Sequence, residues 1–260
     1  MKTMTSLQHS AYCGIIISLV VANGAYAQVS TINSAVVNPR AFNDIPGATL
    51  TTVATYPSVI SFNEQNVSQA GGFANRDRWS FSNNGGTSAY AFANNDYFQV
   101  SMSLTLTGSP ISPRKEAGFL LSTIGGDGQF IVNTDGHEIV AFGGPLPFYA
   151  FPSTFNSGDT ITLGMNYFMD SATGLRSIIY SANGVNSPTL ALSNLEQGII
   201  DGSSLGGYFQ IVNDPNNPLN SGSAAFGNIS IVPEPSVFAL LSLGILPLGF
   251  ALRRRRATSR

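Results

Sequence analysis

The chain is 260 residues long, 43% hydrophobic and 10% aromatic, with only 10% charged residues, 27 glycines and 14 prolines. That balance excludes both a charge-laced helical protein and an intrinsically disordered one, and it favours short strands joined by turns. Between Gln28 and Val232 six basic residues stand against thirteen acidic ones, a net charge of −7, so no clustered Lys and Arg are present to neutralise a nucleic-acid backbone.

Lys2 precedes an apolar run, Gly14-Ile15-Ile16-Ile17-Ser18-Leu19-Val20-Val21-Ala22, and Ala25 and Ala27 then place small side chains where a signal peptidase reads them. This layout predicts a secretory signal peptide over 1–27, cut between Ala27 and Gln28. Cys13 leaves with it, so the processed chain has no cysteine and can form neither a disulfide nor a thiolate nucleophile or metal ligand.

From residue 28 to 232 the pattern is that of strands. Residues 97–107 alternate Phe98, Val100, Met102, Leu104 and Leu106 with Gln, Ser and Thr, and 160–167 does the same with Ile161, Leu163, Met165 and Tyr167. Further strands are expected at 49–55, 59–63, 78–82, 89–93, 117–123, 129–133, 138–142, 176–181, 208–212 and 225–231. Asp135-Gly136 and Asn183-Gly184 are expected as two-residue hairpin turns. A dozen strands without an amphipathic helix predict an all-β, two-sheet, jelly-roll-like sandwich built as one domain, with a signal-peptide helix before it and a transmembrane helix after it.

The end of the body, Gly207-Tyr208-Phe209-Gln210-Ile211-Val212-Asn213-Asp214 with Ala225-Phe226-Gly227-Asn228-Ile229-Ser230-Ile231, resembles the closing strands of concanavalin A-like lectin and glucanase jelly rolls. Tyr208-Phe209-Gln210 is also similar to a segment of alginate-lyase-like jelly rolls, which carry lysine where Gln210 stands and a Gln-x-His triplet that this chain lacks.

After the body comes Pro233-Glu234-Pro235, then seventeen uncharged residues at 236–252 and four arginines, Arg253, Arg254, Arg255 and Arg256. The prolines hold an extended, accessible segment; the apolar run is long enough to span a membrane; the arginines stay on its cytoplasmic side. These three features in order resemble the PEP-CTERM sorting signal. The resemblance implies that an exosortase acts on residues 233–235 after signal peptidase has acted at the other end. It also implies export by the general secretory route, transient anchoring in the inner membrane with the domain outside and the arginines inside, and a final place on the cell surface or in the extracellular matrix of a Gram-negative bacterium.

The inventory of reactive groups is short. His137 and Lys115 are the only histidine and lysine of the processed chain. Gly202-Ser203-Ser204-Leu205-Gly206 matches a nucleophile elbow, but a strand follows it and His137 precedes it, the wrong order for a hydrolase on that motif. Glu116, Asp135 and Glu138 are the carboxylates available for glycosidase chemistry. Asp127, Asn133, Asp135 and Glu138 set oxygen ligands across Gly-rich segments, where either a calcium ion or ordinary Asx turns accounts for them; no other cofactor is indicated. Phe148, Tyr149 and Phe151, in a Pro-bounded loop, and the lone Trp79 suit either stacking on sugars or covering the core. The expectation drawn from this inventory is a non-enzymatic structural or carbohydrate-binding domain with exopolysaccharide or matrix components as partners; the alternative is a polysaccharide-degrading glycosidase or lyase on the same fold.

Overall fold

The computed structural model describes residues 31–42, 45–192 and 201–233. The expected signal peptide with Ala25, Ala27 and Gln28, and the tail with Glu234, Pro235 and Arg253 to Arg256, lie outside the described residues. Among the described residues no helix is long and apolar enough to cross a membrane.

The described chain is all-β, two antiparallel sheets packed face to face. In chain order its strands are β1 (Ser34–Phe42), β2 (Thr49–Thr55), β3 (Val59–Gln65), β4 (Ala74–Ser82), β5 (Phe98–Ser109), β6 (Lys115–Thr123), β7 (Gly126–Asn133), β8 (Ile139–Phe142) and β9 (Tyr149–Ala150). They continue as β10 (Thr160–Met169), β11 (Arg176–Ala182), β12 (Val185–Asn186), β13 (Leu190–Ala191), β14 (Ser204–Val212) and β15 (Ser221–Pro233). One sheet runs β1-β4-β14-β6-β7-β8-β9; the other runs β12-β11-β10-β5-β15-β3-β2, with β13 also on β11.

The alternation in the sequence becomes the core. Phe98, Val100, Met102, Leu104 and Leu106 of β5 and Ile161, Leu163, Met165 and Tyr167 of β10 all turn inward and are buried. Their polar neighbours line the other face, where the Thr105 and Thr160 hydroxyls meet at 2.6 Å. Opposite them, Trp79 of β4 joins the two sheets, edge-on to Phe81 at 5.2 Å and to Phe226 of β15 at 5.9 Å. Gly207 on β14 leaves the space that the indole fills, since a Cβ there would lie 2.5 Å from Trp79 Nε1.

Three sequence expectations need correction. Residues 89–93 form only an isolated bridge, Phe92 to Ser203. Asp96 takes this segment out of the sheet by accepting from the Tyr90 hydroxyl at 3.1 Å and the Ala93 amide at 2.9 Å. Residues 34–42 do form a strand despite Pro39, because β1 is an edge, where a missing donor costs no ladder bond. Asp135-Gly136 is not a two-residue turn. Asn133 organises a longer loop, accepting from Gly136 N at 2.9 Å and donating to Glu138 Oε2 at 2.7 Å, and the positive φ falls on His137. Asn183-Gly184 does turn as expected, with φ of 49° and 80° between the paired Ala182 and Val185.

Candidate functional site

Polar side chains that sequence reading had scattered meet on the outer face of the β1–β9 sheet. The register places Arg76 of β4 beside Gln210 of β14, Gln210 beside Glu116 of β6, and Glu116 beside Asn133 of β7. Side chains at these positions point the same way because strand periodicity is two. Arg76 Nε donates to Gln210 Oε1 at 2.9 Å, and Gln210 Nε2 donates to Glu116 Oε1 at 3.0 Å. The Tyr208 hydroxyl donates to the same Glu116 oxygen at 3.0 Å.

Arg114 closes the chain of contacts. Its guanidinium lies 2.9 Å from Asp135 Oδ1, 3.6 Å from Glu138 Oε2 and 3.8 Å from Glu116 Oε2. The three carboxylates singled out for glycosidase chemistry are therefore gathered, but around one cation, and Asp135 and Glu138 are held by it. Arg76 reaches Asp127 at 3.8 Å and lies over the Phe42 and Tyr208 rings, each centroid 5.5 Å away.

Burial pushes the Glu116 carboxyl above its ordinary range, against the pull of the Tyr208 hydrogen bond and of Arg114 and Arg76. Burial, and then the Glu116 charge, push Tyr208 far above the usual phenol range. Tyr208 thus keeps its proton at neutral pH and points it at a carboxylate with a raised proton affinity. A carboxyl so perturbed, paired with a donor, is what a proton-transfer site needs.

One row along, Arg78 of β4 faces Tyr208 of β14 on one side and Asn38 of β1 on the other. It lines a cavity of about 220 Å³ with Asn38, Ser80, Ser122 and Ser204. Among the described residues nothing hydrogen-bonds to or pairs with its guanidinium, in contrast to Arg76 and Arg114. The sequence signals for this face were the i, i+2 pairs Arg76/Arg78 and Tyr208/Gln210; without knowing that β4 and β14 are neighbours, nothing joined them.

The other sequence candidates resolve differently. Trp79 is core, 1% exposed, and Phe151 is buried against Phe130 at 5.9 Å. Tyr149 is half-buried in β9 and only Phe148, 71% exposed, stands out, so the aromatic loop is mainly a cover for the core. The four proposed calcium ligands do not converge. Asp127 lies in β7, accepting from Ser122 Oγ at 2.8 Å, while Asn133 ends the same strand and Asp135 and Glu138 belong to Arg114. Among the described residues no group of three or more acidic, histidine or cysteine side chains is placed to hold a metal. His137 Nδ1 sits 2.9 Å from Phe155 O, and Ser204 opens a strand, so no serine triad forms.

No known family and no curated protein matches the chain. Its fold, however, is similar to solved structures. An alginate lyase from Pseudomonas aeruginosa shares 13% identity over 70% of this chain and 86% of that chain, with a TM-score of 0.50. The family 7 alginate lyase A1-II′ shares 10% over 70% and 83%, at 0.48, and the alginate lyase from Corynebacterium sp. 13% over 70% and 83%, at 0.46. The first of these supports the jelly-roll sandwich as the fold. The first of these also corrects the expectation of a non-enzymatic domain, since the solved structure with this fold is an alginate lyase.

Proposed function

We propose that the sandwich is a polysaccharide-degrading enzyme of the lyase type, acting on an acidic polysaccharide laid across the outer face of β4, β14 and β6. The observation that carries this reading is Arg78, one row from the Tyr208–Glu116 pair and without a partner among the described residues. Eliminative cleavage of a uronate chain removes the proton beside the carboxylate, breaks the C4–O bond and leaves a C4=C5 double bond, with no water consumed. It needs a cation at the carboxylate, a base for the proton and an acid for the leaving oxygen. Arg78 supplies the first; Glu116 takes the proton and returns it to the leaving oxygen, while the buried Tyr208 holds its carboxylate from behind. Hydrolysis is favoured less, because Asp135 and Glu138, which would have to serve as the second carboxylate, are tied to Arg114. The alginate lyase from Pseudomonas aeruginosa supplies the fold analogy, and the perturbed Glu116 carboxyl beside its Tyr208 donor supports the assignment of the proton chemistry.

The test is incubation of the purified chain with polymannuronate, polyguluronate, pectate and a neutral glucan, following the ultraviolet absorbance of unsaturated uronate. Unsaturated product from a uronate, lost in Glu116→Gln, is the expected result. Reducing ends without unsaturation would identify a hydrolase instead, and no product from any polymer would overturn the enzymatic reading.

We also propose that the chain is exported and sorted through its tail. What supports this is the place of the motif: β15 is paired through Pro233, opposite Phe98, and Pro233 is the first residue of the Pro-Glu-Pro segment. Replacing residues 233–235 by alanines is expected to leave the full-length chain in the inner membrane on cell fractionation; normal release would refute the sorting reading.

A further inference from the structure

We propose that β2 is a self-association edge, pairing antiparallel with β2 of a second copy of this chain about a twofold axis at Thr52. The edges of the two sheets are treated unequally. The β1 edge carries Pro39 and a register shift between Asn38 and Phe42, with Arg40 at a φ of 49°. The β9, β12 and β13 edges are two residues each. These are the devices by which sheets avoid pairing with strangers. Strand β2 has none of them: seven residues, Thr49-Leu50-Thr51-Thr52-Val53-Ala54-Thr55, without charge, proline or glycine.

It is paired in unbroken register with β3 on one side only. It also overhangs the sandwich. Thr52 and Ala54, which lie on the inward side with Phe62 and Ile60, are exposed, as are Thr51, Val53 and Thr55 on the other side. The occupant follows from charge. The body carries a net charge of −7, so two copies meet without opposing carboxylates where a surface is uncharged, and the side chains of β2 and of Ser61, Asn63 and Gln65 behind it carry no charge. An isologous pair then sets Thr51 against the partner's Val53 with no like charges opposed, and joins the two sheets of this kind into one.

Sedimentation velocity of the purified full chain, from about 1 to about 100 μM, should show its mass rise from 27.4 kDa towards twice that value. Thr52→Lys places two ammonium groups on the axis at an exposed position, and it should remain monomeric with an unchanged circular dichroism spectrum and melting point. In a Cys13→Ser background, Thr52→Cys should give a disulfide-linked dimer on mild oxidation, whereas Val185→Cys, also exposed, on β12, should not. A wild-type chain monomeric throughout, a Thr52→Lys chain that still dimerises, species larger than a dimer, or equal cross-linking through Val185→Cys would each overturn the proposal.

Discussion

The Tyr208 hydroxyl reaches Glu116 diagonally: Tyr208 lies opposite Gly118, while Glu116 lies opposite Gln210, and the bond of 3.0 Å crosses between the two rows. Gly118 has no side chain to stand between them. A single carboxylate oxygen thus accepts from both Tyr208 and Gln210, and Glu116 is held in the strand interior rather than at a loop tip.

That placement sets stability against function. Because folding raises the Glu116 pKa, the neutral form favours the native state; this contribution is complete below the ordinary carboxylate range and is lost as pH rises through the elevated native value. Glu116→Gln keeps an acceptor for Tyr208 and removes the buried charge. It should stabilise the fold at pH 7 by about 1 kcal/mol, or raise Tm by about 2–4 °C, while abolishing release of unsaturated sugar. Thermal melts alongside the polymer assay check both halves.

Arg78 and Arg114 should part company on substitution. Among the described residues Arg78 has no hydrogen-bond or ion-pair partner to lose, so Arg78→Leu should leave stability within about 0.5 kcal/mol of wild type. It should weaken retention on an acidic polysaccharide by about tenfold, and more at low salt than at high. Arg114→Leu leaves Asp135, Glu138 and Glu116 facing one another and should destabilise by about 1–2 kcal/mol. Affinity electrophoresis and urea unfolding of the two variants separate these effects.

Lys115 governs the alkaline side. It is fully buried between the sheets, where Gly108 and Gly222 make room for its stem, and its Nζ donates to Pro110 O at 2.7 Å. Burial lowers its pKa to about 8, so the unfolded chain binds the extra proton between there and 10.5, and stability should rise with pH across that window. Above pH 10 the sign reverses, because burial holds Tyr90, Tyr167, Tyr180 and Tyr208 protonated in the fold after they ionise in the unfolded chain. Melting temperatures at pH 7 and 9.5 should differ in the wild type and converge in Lys115→Met.

Close approach of β14 and β4 gives a purely steric prediction. A Cβ on Gly206 would overlap Trp79 O and the Ser80 backbone, whereas one on Gly47 would meet nothing within 4 Å. Gly206→Ala should cost about 3 kcal/mol, by forcing the strands apart, and Gly47→Ala should stay within about 0.5 kcal/mol of wild type. Denaturant midpoints of the pair make the comparison.

What was legible in the sequence was local. The Phe98 to Leu106 alternation needed only side-chain period, and it yielded both β5 and its buried face; Asn183-Gly184 needed only the left-handed preference of two residues. Glu116, Asp135 and Glu138 were recognised as carboxylates, but their shared Arg114 depends on the β6–β7 pairing and on a β7–β8 loop folded by Asn133, and no spacing rule encodes that. Arg76 and Gln210 are 134 positions apart and meet through the β4–β14 pairing. Core was the favoured reading of the Trp79 and Phe151 rings, with a sugar platform as the alternative, and the opposite sheet decides between them, since an aromatic carries the same local signature in both roles.

The course of β15 to Pro233, carried past a bulge between Gly227 and Ser230, has a mechanical meaning. The strand is internal to its sheet, bonded to β3 along Gly222–Gly227 and to β5 along most of its length. A pull on the chain beyond Pro233, directed along the strand, loads these ladders in shear, so that many bonds share the tension and must yield together. A hairpin at the sheet edge would instead peel open one bond at a time. With this strand last among the described residues, the body is gripped through its own centre by whatever holds the residues that follow.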